Sequence, residues 1–290
     1  MELVLSEATN PRITRQALEA ASAESCFPAK LIYGHVLDLL NKEADFLFLP
    51  GVINRDVIAP GQVESNYCPY IPASSYLVAA GIDLEASGIK PVIFPFHMLW
   101  SHVKERELLA LAPQFGVSRQ LIRAADKAAM AAQQAFYDKA QERGQEILHT
   151  LPEDQPLAVI VGRPYNTYDT GVCQDLPYKL RKLGVLALPM DFLPLRNVDL
   201  SDEYNKMYWR SGQDILAAAK LIQRDPRLQA IYVTSFSCGP DSFILSFFRR
   251  ILGEKPFLEL EMDEHTADAG IITRCEAFFD SLEMAKGAVL

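Results

Sequence analysis

Six short apolar runs punctuate the chain: Asp45 to Pro50, Pro91 to Pro95, Leu157 to Val161, Val185 to Leu188, Ala230 to Thr234 and Phe257 to Leu260. Most are apolar throughout rather than alternating, and Pro, Gly or charged residues bound them, so they predict strands buried on both faces. Between them the apolar period changes to that of a helix. Leu31, Val36, Leu39 and Leu40 lie near one helical face, and Asp214 to Arg224 carries Ile215, Leu216, Leu221 and Ile222 before Asp225-Pro226 stops it. Phe243, Ile244, Phe247, Phe248 and Ile251 form another stripe, closed by Gly253.

Alternating strands and helices with wholly apolar strands predict an α/β fold with parallel sheets covered on both faces. A long Ala-, Gln-, Glu- and Lys-rich helical segment from about Ser118 to Leu148 separates two such halves, and Leu151 to Pro156 reads as a linker. The expected organisation is two α/β lobes with mostly parallel sheets joined by a long helix: residues 1–112, a connecting helix over 113–150, and residues 151–290. No internal repeat or low-complexity tract is visible.

Composition narrows the function. With 290 residues, 49% hydrophobic and 10% aromatic, the chain has the apolar surface to fold, and disorder is excluded as its global state. A net charge of -9 without a basic stripe argues against nucleic acid as a partner. The longest uncharged stretch, Ser65 to Ile82, contains Pro69 and Pro72 and several polar side chains, so no membrane span is expected. Glu2 stands where a signal peptide needs positive charge, so a cytoplasmic location is expected.

Five cysteines, an odd number without an export signal, point to reduced thiols rather than a disulfide framework. Three share a context: Ser25-Cys26-Phe27-Pro28, Tyr67-Cys68-Pro69 and Ser237-Cys238-Gly239-Pro240. A proline within two residues is expected for roughly one cysteine in ten at average Pro usage of about 5%. Because Pro favours the first helical turn, each cysteine is placed at a helix start, where free N–H groups and the macrodipole are expected to lower a thiol pKa. Cys238 also follows a predicted buried strand, which puts it at the carboxyl edge of the second sheet, where open α/β sheets bind ligands.

Cys26 and Cys68 are 42 residues apart and Cys238 lies 170 further on, unlike the local clusters of zinc ribbons or ferredoxins. Convergent thiolates select an iron–sulfur cluster, Zn or Cu(I), and three without a fourth suit a cluster with one iron left open. The rival reading is that all three are small buried hydrophobes. Cys275, with Phe278, Phe279 and Leu282 at helical spacing, and Cys173, with Leu176 and Leu180, are read as packing.

At these residues the chain resembles the activase-related iron–sulfur proteins akin to the 2-hydroxyacyl-CoA dehydratase subunits and the double-cubane cluster proteins. It looks most like the domain that follows the ATPase modules in fused 2-hydroxyglutaryl-CoA dehydratase activators. The matching stretches are 24–35, 45–50, 66–69, 162–166, 235–241, Asp263-Glu-His265 and Ala269-Gly270. The resemblance implies two Rossmann-like lobes and a [4Fe–4S] or related cluster held by Cys26, Cys68 and Cys238. It also implies low-potential electron transfer in an anaerobic system, driven by ATP hydrolysis in a separate activator that carries its own iron–sulfur cluster. An acyl-CoA substrate and a dimer are further implications of the resemblance. Two departures stand out. Leu3 to Leu5 resembles the family's second strand, so the opening strand and helix are expected to be missing, and the chain is read as a fragment or a stand-alone electron acceptor. No glycine-rich phosphate motif occurs, so this chain is not expected to bind ATP.

Other residues have competing readings. Ser25 and Gly239 flank candidate ligands. Asp263, Glu264 and His265 either surround the site or form a helix-capping turn, and Asp241 either does the same or caps the helix after Cys238. Arg163, after the Leu157 strand, is a candidate anion contact for a phosphate or CoA tail. His35 reads equally as packing or as a proton donor, and His97 as an ordinary loop residue. The rivals to an electron-transfer protein are a docking module with Zn or no metal at its cysteines and a metal-free domain binding acyl-CoA or another small molecule.

Overall fold

The computed structural model describes residues 2–22, 24–55 and 62–287, the last three as backbone only. In chain order the elements are α1 (Pro11–Ala20), α2 (Phe27–Leu40), β1 (Phe46–Asn54), α3 (Tyr70–Gly81), β2 (Lys90–His97), α4 (Ser101–Phe115) and α5 (Arg119–Thr150). They continue as β3 (Leu157–Gly162), α6 (Pro164–Thr167), α7 (Leu176–Lys182), β4 (Leu186–Pro189), α8 (Ser201–Tyr204), α9 (Arg210–Arg224), β5 (Leu228–Ser235), α10 (Gly239–Leu252), β6 (Phe257–Met262) and α11 (Asp268–Gly287). All six apolar runs form strands and every described strand pair is parallel, as an α/β fold of Rossmann-like type requires. The chain forms two compact units, the first from 1–25, 29–143 and 199–213 and the second from 26–28, 144–198 and 214–290.

In the first unit, β1 and β2 form a two-stranded sheet among the described residues. Prolines at 50, 91 and 95 suit this arrangement, because each strand has a free edge that does not need the missing N–H. Leu47 and Leu49 face Tyr33 and Val36 of α2 and Val78 of α3, while Val92 and Phe94 point the opposite way, toward Leu111 and Phe115 of α4. Period-two alternation in each strand thus serves two helical layers. Gly51 lets β1 approach α3, since a Cβ there would sit 2.6 Å from the Pro72 carbonyl.

Leu3 to Leu5 forms no strand, contrary to expectation. Leu3 and Leu5 are largely exposed, and polar contacts hold this segment to α2 instead of to a sheet edge. Ser6 Oγ and Thr9 Oγ1 meet the two ring nitrogens of His35 at 2.9 and 3.0 Å, and the Glu7 amide donates to Asp38 Oδ2 at 2.9 Å. Arg12 Nη2 reaches Asp38 Oδ1 at 2.5 Å, and Lys42 donates to the Leu5 carbonyl. His35 is therefore a structural bridge.

The second unit holds the larger sheet, in the order β4-β3-β5-β6. β3 and β5 are buried along their whole length. One face packs Ala158, Ile160, Ile231 and Val233 against Leu176 and Leu180 of α7 and Ile271 of α11. On the other, Tyr232 meets Phe248 of α10 edge-on, 5.1 Å between ring centroids. The sheet is doubly wound. The connection from β3 runs outward to β4 and the chain then returns to the other side of β3 to form β5, so the strand order switches between β3 and β5, whose carboxyl ends are where open α/β sheets bind ligands. Among the described residues no helix is long and apolar enough to cross a membrane.

Two outcomes are expected. A Cβ at Gly34 would collide with the Ile13 carbonyl and lie 3.0 Å from the Ala17 side chain, so Gly34→Ala should lower stability by about 1–3 kcal/mol in urea unfolding. Burial alone would raise the Asp38 pKa, but Arg12, the Glu7 amide and Lys42 outweigh it and hold the carboxyl well below the usual range. A depressed folded pKa adds stability above the unfolded value of about 3.9. The advantage of the parent chain over Asp38→Asn should thus be full at neutral pH and shrink as pH falls below about 4.

Candidate functional site

Of the candidate residues, Arg163, Cys238 and Asp241 meet at the carboxyl end of the second sheet. Arg163 follows β3 directly, and Gly162 keeps the backbone close there, since a Cβ would lie 2.5 Å from the Val233 carbonyl. The Arg163 side chain is not a free anion contact. It is 1% exposed, and its Nε and Nη2 donate to Asp241 Oδ1 at 3.0 and 2.8 Å. Asp241, also 1% exposed, takes the Thr234 hydroxyl on its other oxygen at 2.7 Å. It is therefore the buried counter-ion of Arg163 rather than a solvated cap for α10. One position along the seam, Ser235 Oγ and Asn166 Oδ1 are 3.0 Å apart. The loops after β3 and β5, neighbours only in the folded sheet, are tied together by polar side chains.

Two buried donors in this seam are unspent: Arg163 Nη1 and Asn166 Nδ2 have no hydrogen-bond partner among the described residues. A native interior rarely leaves such groups unmet. Their pairing need is for an acceptor, and in the case of Arg163 preferably an anionic one.

Cys238 caps α10 as the sequence predicts, but the expected activation of its thiol does not follow. Burial and the Asp241 carboxylate push its pKa up to about 12, against the lowering effects of Arg163 and the Asp241 amide. The helix start favours a thiolate by about 1 kcal/mol, less than desolvation beside a carboxylate removes. Ser237, just before it, has φ +62°, and Gln174 and Asp175, in the loop between α6 and α7, have φ +48° and +52°. These three non-glycine residues in the left-handed region all lie on the carboxyl side of this sheet, and such strain concentrates at functional sites. A Cβ at Gly239 would meet nothing within 4 Å, so steric need does not explain that glycine.

The remaining candidates fall into distinct settings. Asp263 and Thr266 close a turn on themselves, Thr266 Oγ1 accepting from the Asp263 amide at 2.8 Å and donating to its carboxylate at 2.9 Å. His265 is exposed, with its amide bonded to Asp263, which is the geometry of a capping turn. Cys173 and Cys275 lie in the apolar cluster between α7 and α11, and burial raises both pKa values, Cys275 to about 11. Cys26 is half-buried directly before α2, next to half-buried Ser25.

Cys68 belongs to the first unit and is buried just before α3. The Tyr67 amide donates to the Ile53 carbonyl and the Arg55 amide to the Ser65 carbonyl, so this stretch runs back along the end of β1. Nearby, Asn54 Oδ1 accepts the amides of Met98 and Leu99, and Glu107 grips His97 at both its amide and Nδ1, at 2.9 and 2.6 Å. His97 is thus an oriented imidazole rather than an ordinary loop residue. A histidine two residues after a predicted strand and ten residues before Glu107 was the available signal. Among the described residues, no group of three or more His, Cys, Asp or Glu is placed to hold a metal ion.

The model of the CoA enzyme activase uncharacterised domain matches residues 1–193, two thirds of the chain. The chain belongs to this activase domain family. The matched part contains Cys26, Cys68, Arg163 and Asn166, whereas Cys238, Asp241 and His265 lie beyond it. No curated protein and no solved structure matches the chain.

The buried pair has a measurable consequence. Asp241→Asn should cost about 3–5 kcal/mol in urea unfolding, because it leaves a buried guanidinium without its counter-charge, and the double change Arg163→Met with Asp241→Leu should recover most of it. Gly239→Ala, into open space, should stay within about 0.5 kcal/mol.

Proposed function

We propose that this activase-family domain is an iron–sulfur protein that accepts or stores a low-potential electron in an ATP-driven system, with Cys26, Cys68 and Cys238 as ligands of a [4Fe–4S] or related cluster. The observation that carries the reading is the company of Cys238. A thiol stands at the carboxyl end of the central strands, three residues before Asp241, in a seam where two buried donors have no acceptor among the described residues. An anionic group rich in sulfide would answer both needs, so the residues of the second unit fit it. When bound, the cluster supplies a site for one-electron reduction.

The chain's own part would be to hold and insulate that site. Cys238 would give up its proton on ligation, as any thiol ligand must. Arg163 Nη1 and Asn166 Nδ2 would then donate toward the added negative charge, and the Asp241 pair would keep Arg163 from turning away. ATP hydrolysis is assigned to a partner activator with its own cluster, and an acyl-CoA is the candidate downstream substrate.

One observation favours a second reading. Burial and Asp241 keep the Cys238 thiol protonated in the metal-free chain, which suits a docking or acyl-CoA-binding module with no metal at its cysteines.

Anaerobic purification with iron and sulfide analysis separates the two. The first reading expects about four irons per cluster and an EPR signal on dithionite reduction. Cys238→Ser should lose most of that iron and Cys173→Ser, in the apolar cluster, should keep it. A colourless protein after anaerobic reconstitution, or iron content unchanged in Cys238→Ser, overturns it. Calorimetric binding of an acyl-CoA to that metal-free protein would then support the second.

A further inference from the structure

The carboxyl end of the two-stranded sheet in the first unit carries two groups that the proposed function leaves unused. Arg55 directly follows β1, and His97 is the last residue of β2. The strands pair with Asn54 opposite His97, so Arg55 and His97 stand within one residue of register on neighbouring strands. Asn54 Oδ1 holds the Met98 and Leu99 amides and so ties the loop after β2 to the end of β1. Carboxyl ends of parallel strands are where such sheets bind ligands.

Arg55 is half-buried, and burial works against its charge. Its Nη1 donates to the Tyr137 hydroxyl of α5 at 2.5 Å, its guanidinium lies 5.0 Å from the centre of the same ring, and Tyr67 is its other polar partner. A phenol accepts a hydrogen bond but brings no charge at neutral pH, so among the described residues this guanidinium has no counter-ion. The neighbouring acids are spent elsewhere. Glu107 takes the His97 amide and Nδ1 on separate oxygens, and Glu64 accepts from Asn66.

An ionised Glu107 can only accept, so the His97 ring keeps its proton on Nδ1 and presents Nε2, which has no partner among the described residues. The ring is 25% exposed and stacks 6.1 Å from Trp100, itself half-exposed, which leaves indole surface for the organic part of a ligand. A guanidinium without counter-charge calls for an anion, and Nε2 narrows its kind. An imidazole and the second acid group of a phosphate both titrate between about pH 6 and 7, so one proton can be shared between them. A carboxylic acid has given up its proton by about pH 5.

We infer that Arg55 and His97 form a binding site for a phosphate group, free or on a small monoester. The guanidinium would donate to the phosphate oxygens as a fork, and Nε2 would share the proton on another oxygen. The site lies in the first unit and needs no metal at the cysteines.

Phenyl phosphate is the probe, titrated calorimetrically into the full chain before and after chelation of any bound metal. Saturable one-site binding is expected in both states, so failure of the cluster reading leaves this site untouched. Tighter binding than inorganic phosphate assigns the group to a monoester held against Trp100, and equal binding assigns it to the free ion. Arg55→Gln should weaken the probe at least tenfold, whereas Arg15→Gln, on an exposed helix face, should not. With nitrogen-15-labelled histidine, the Nε2 resonance that His97→Gln removes should move on binding, which a merely structural histidine would not show. If Arg55→Gln does not fold, Arg55→Lys, which keeps the charge but not the fork, should still weaken binding. Non-saturable binding, undiminished affinity in the Arg55 variant, equal binding of benzoate, or an unmoved His97 resonance would overturn the inference.

Discussion

The salt bridge between Arg163 and Asp241 is the constraint on which the second unit's site depends. Taking two charges out of water costs several kcal/mol each, and the attraction between them repays this only when hydrogen bonds meet most of their remaining polar atoms. Here one carboxylate oxygen receives two guanidinium nitrogens and the other receives the Thr234 hydroxyl. The arrangement demands that the loop after β3 and the first turn of α10 hold one relative position. Cys238 lies three residues before Asp241, so its placement follows from the same pair.

That pair also sets the electrostatics. Burial is the largest influence on the Cys238 thiol, with the Asp241 carboxylate adding to it and Arg163 opposing it. A helix N-terminus is too weak to reverse this. The unspent Nη1 of Arg163 and Nδ2 of Asn166 therefore act as latent donors. Neither donor has an acceptor among the described residues, although both are buried.

The strands were legible because their apolar runs are too short for helices and Pro or Gly bounded most of them, although only β3 and β5 are buried along their whole length. Cysteine positions at helix starts were legible for a similar reason, since Pro28, Pro69 and Pro240 each suit a first turn. Leu3 to Leu5 misled because three apolar-leaning residues look alike whether they pair with a strand or lie over a helix. What decides is the polar grip of Asp38 and His35, which are far away in sequence. The partnership of Arg163 with Asp241 was hidden by a separation of 78 residues. Only the strand order, with β3 beside β5, makes them neighbours, and strand order is a property of the whole sheet. His97 differs, because the glutamate that orients it lies only ten residues on, in the next helix.

Strand order also bears on what the family match means physically. The matched residues end at position 193, after β4, whereas the sheet that contains β3 and β4 is completed by β5 and β6. A segment ending there would leave β3, the most buried strand of the match, with one edge unpaired and its apolar faces stripped of α10 and α11. It would also leave Arg163 without Asp241, an uncompensated buried charge costing about 3–5 kcal/mol on top of the lost core. The span recognised by similarity is therefore not the span that folds. The part of the chain beyond residue 193 supplies the counter-ion, half the sheet and Cys238 itself.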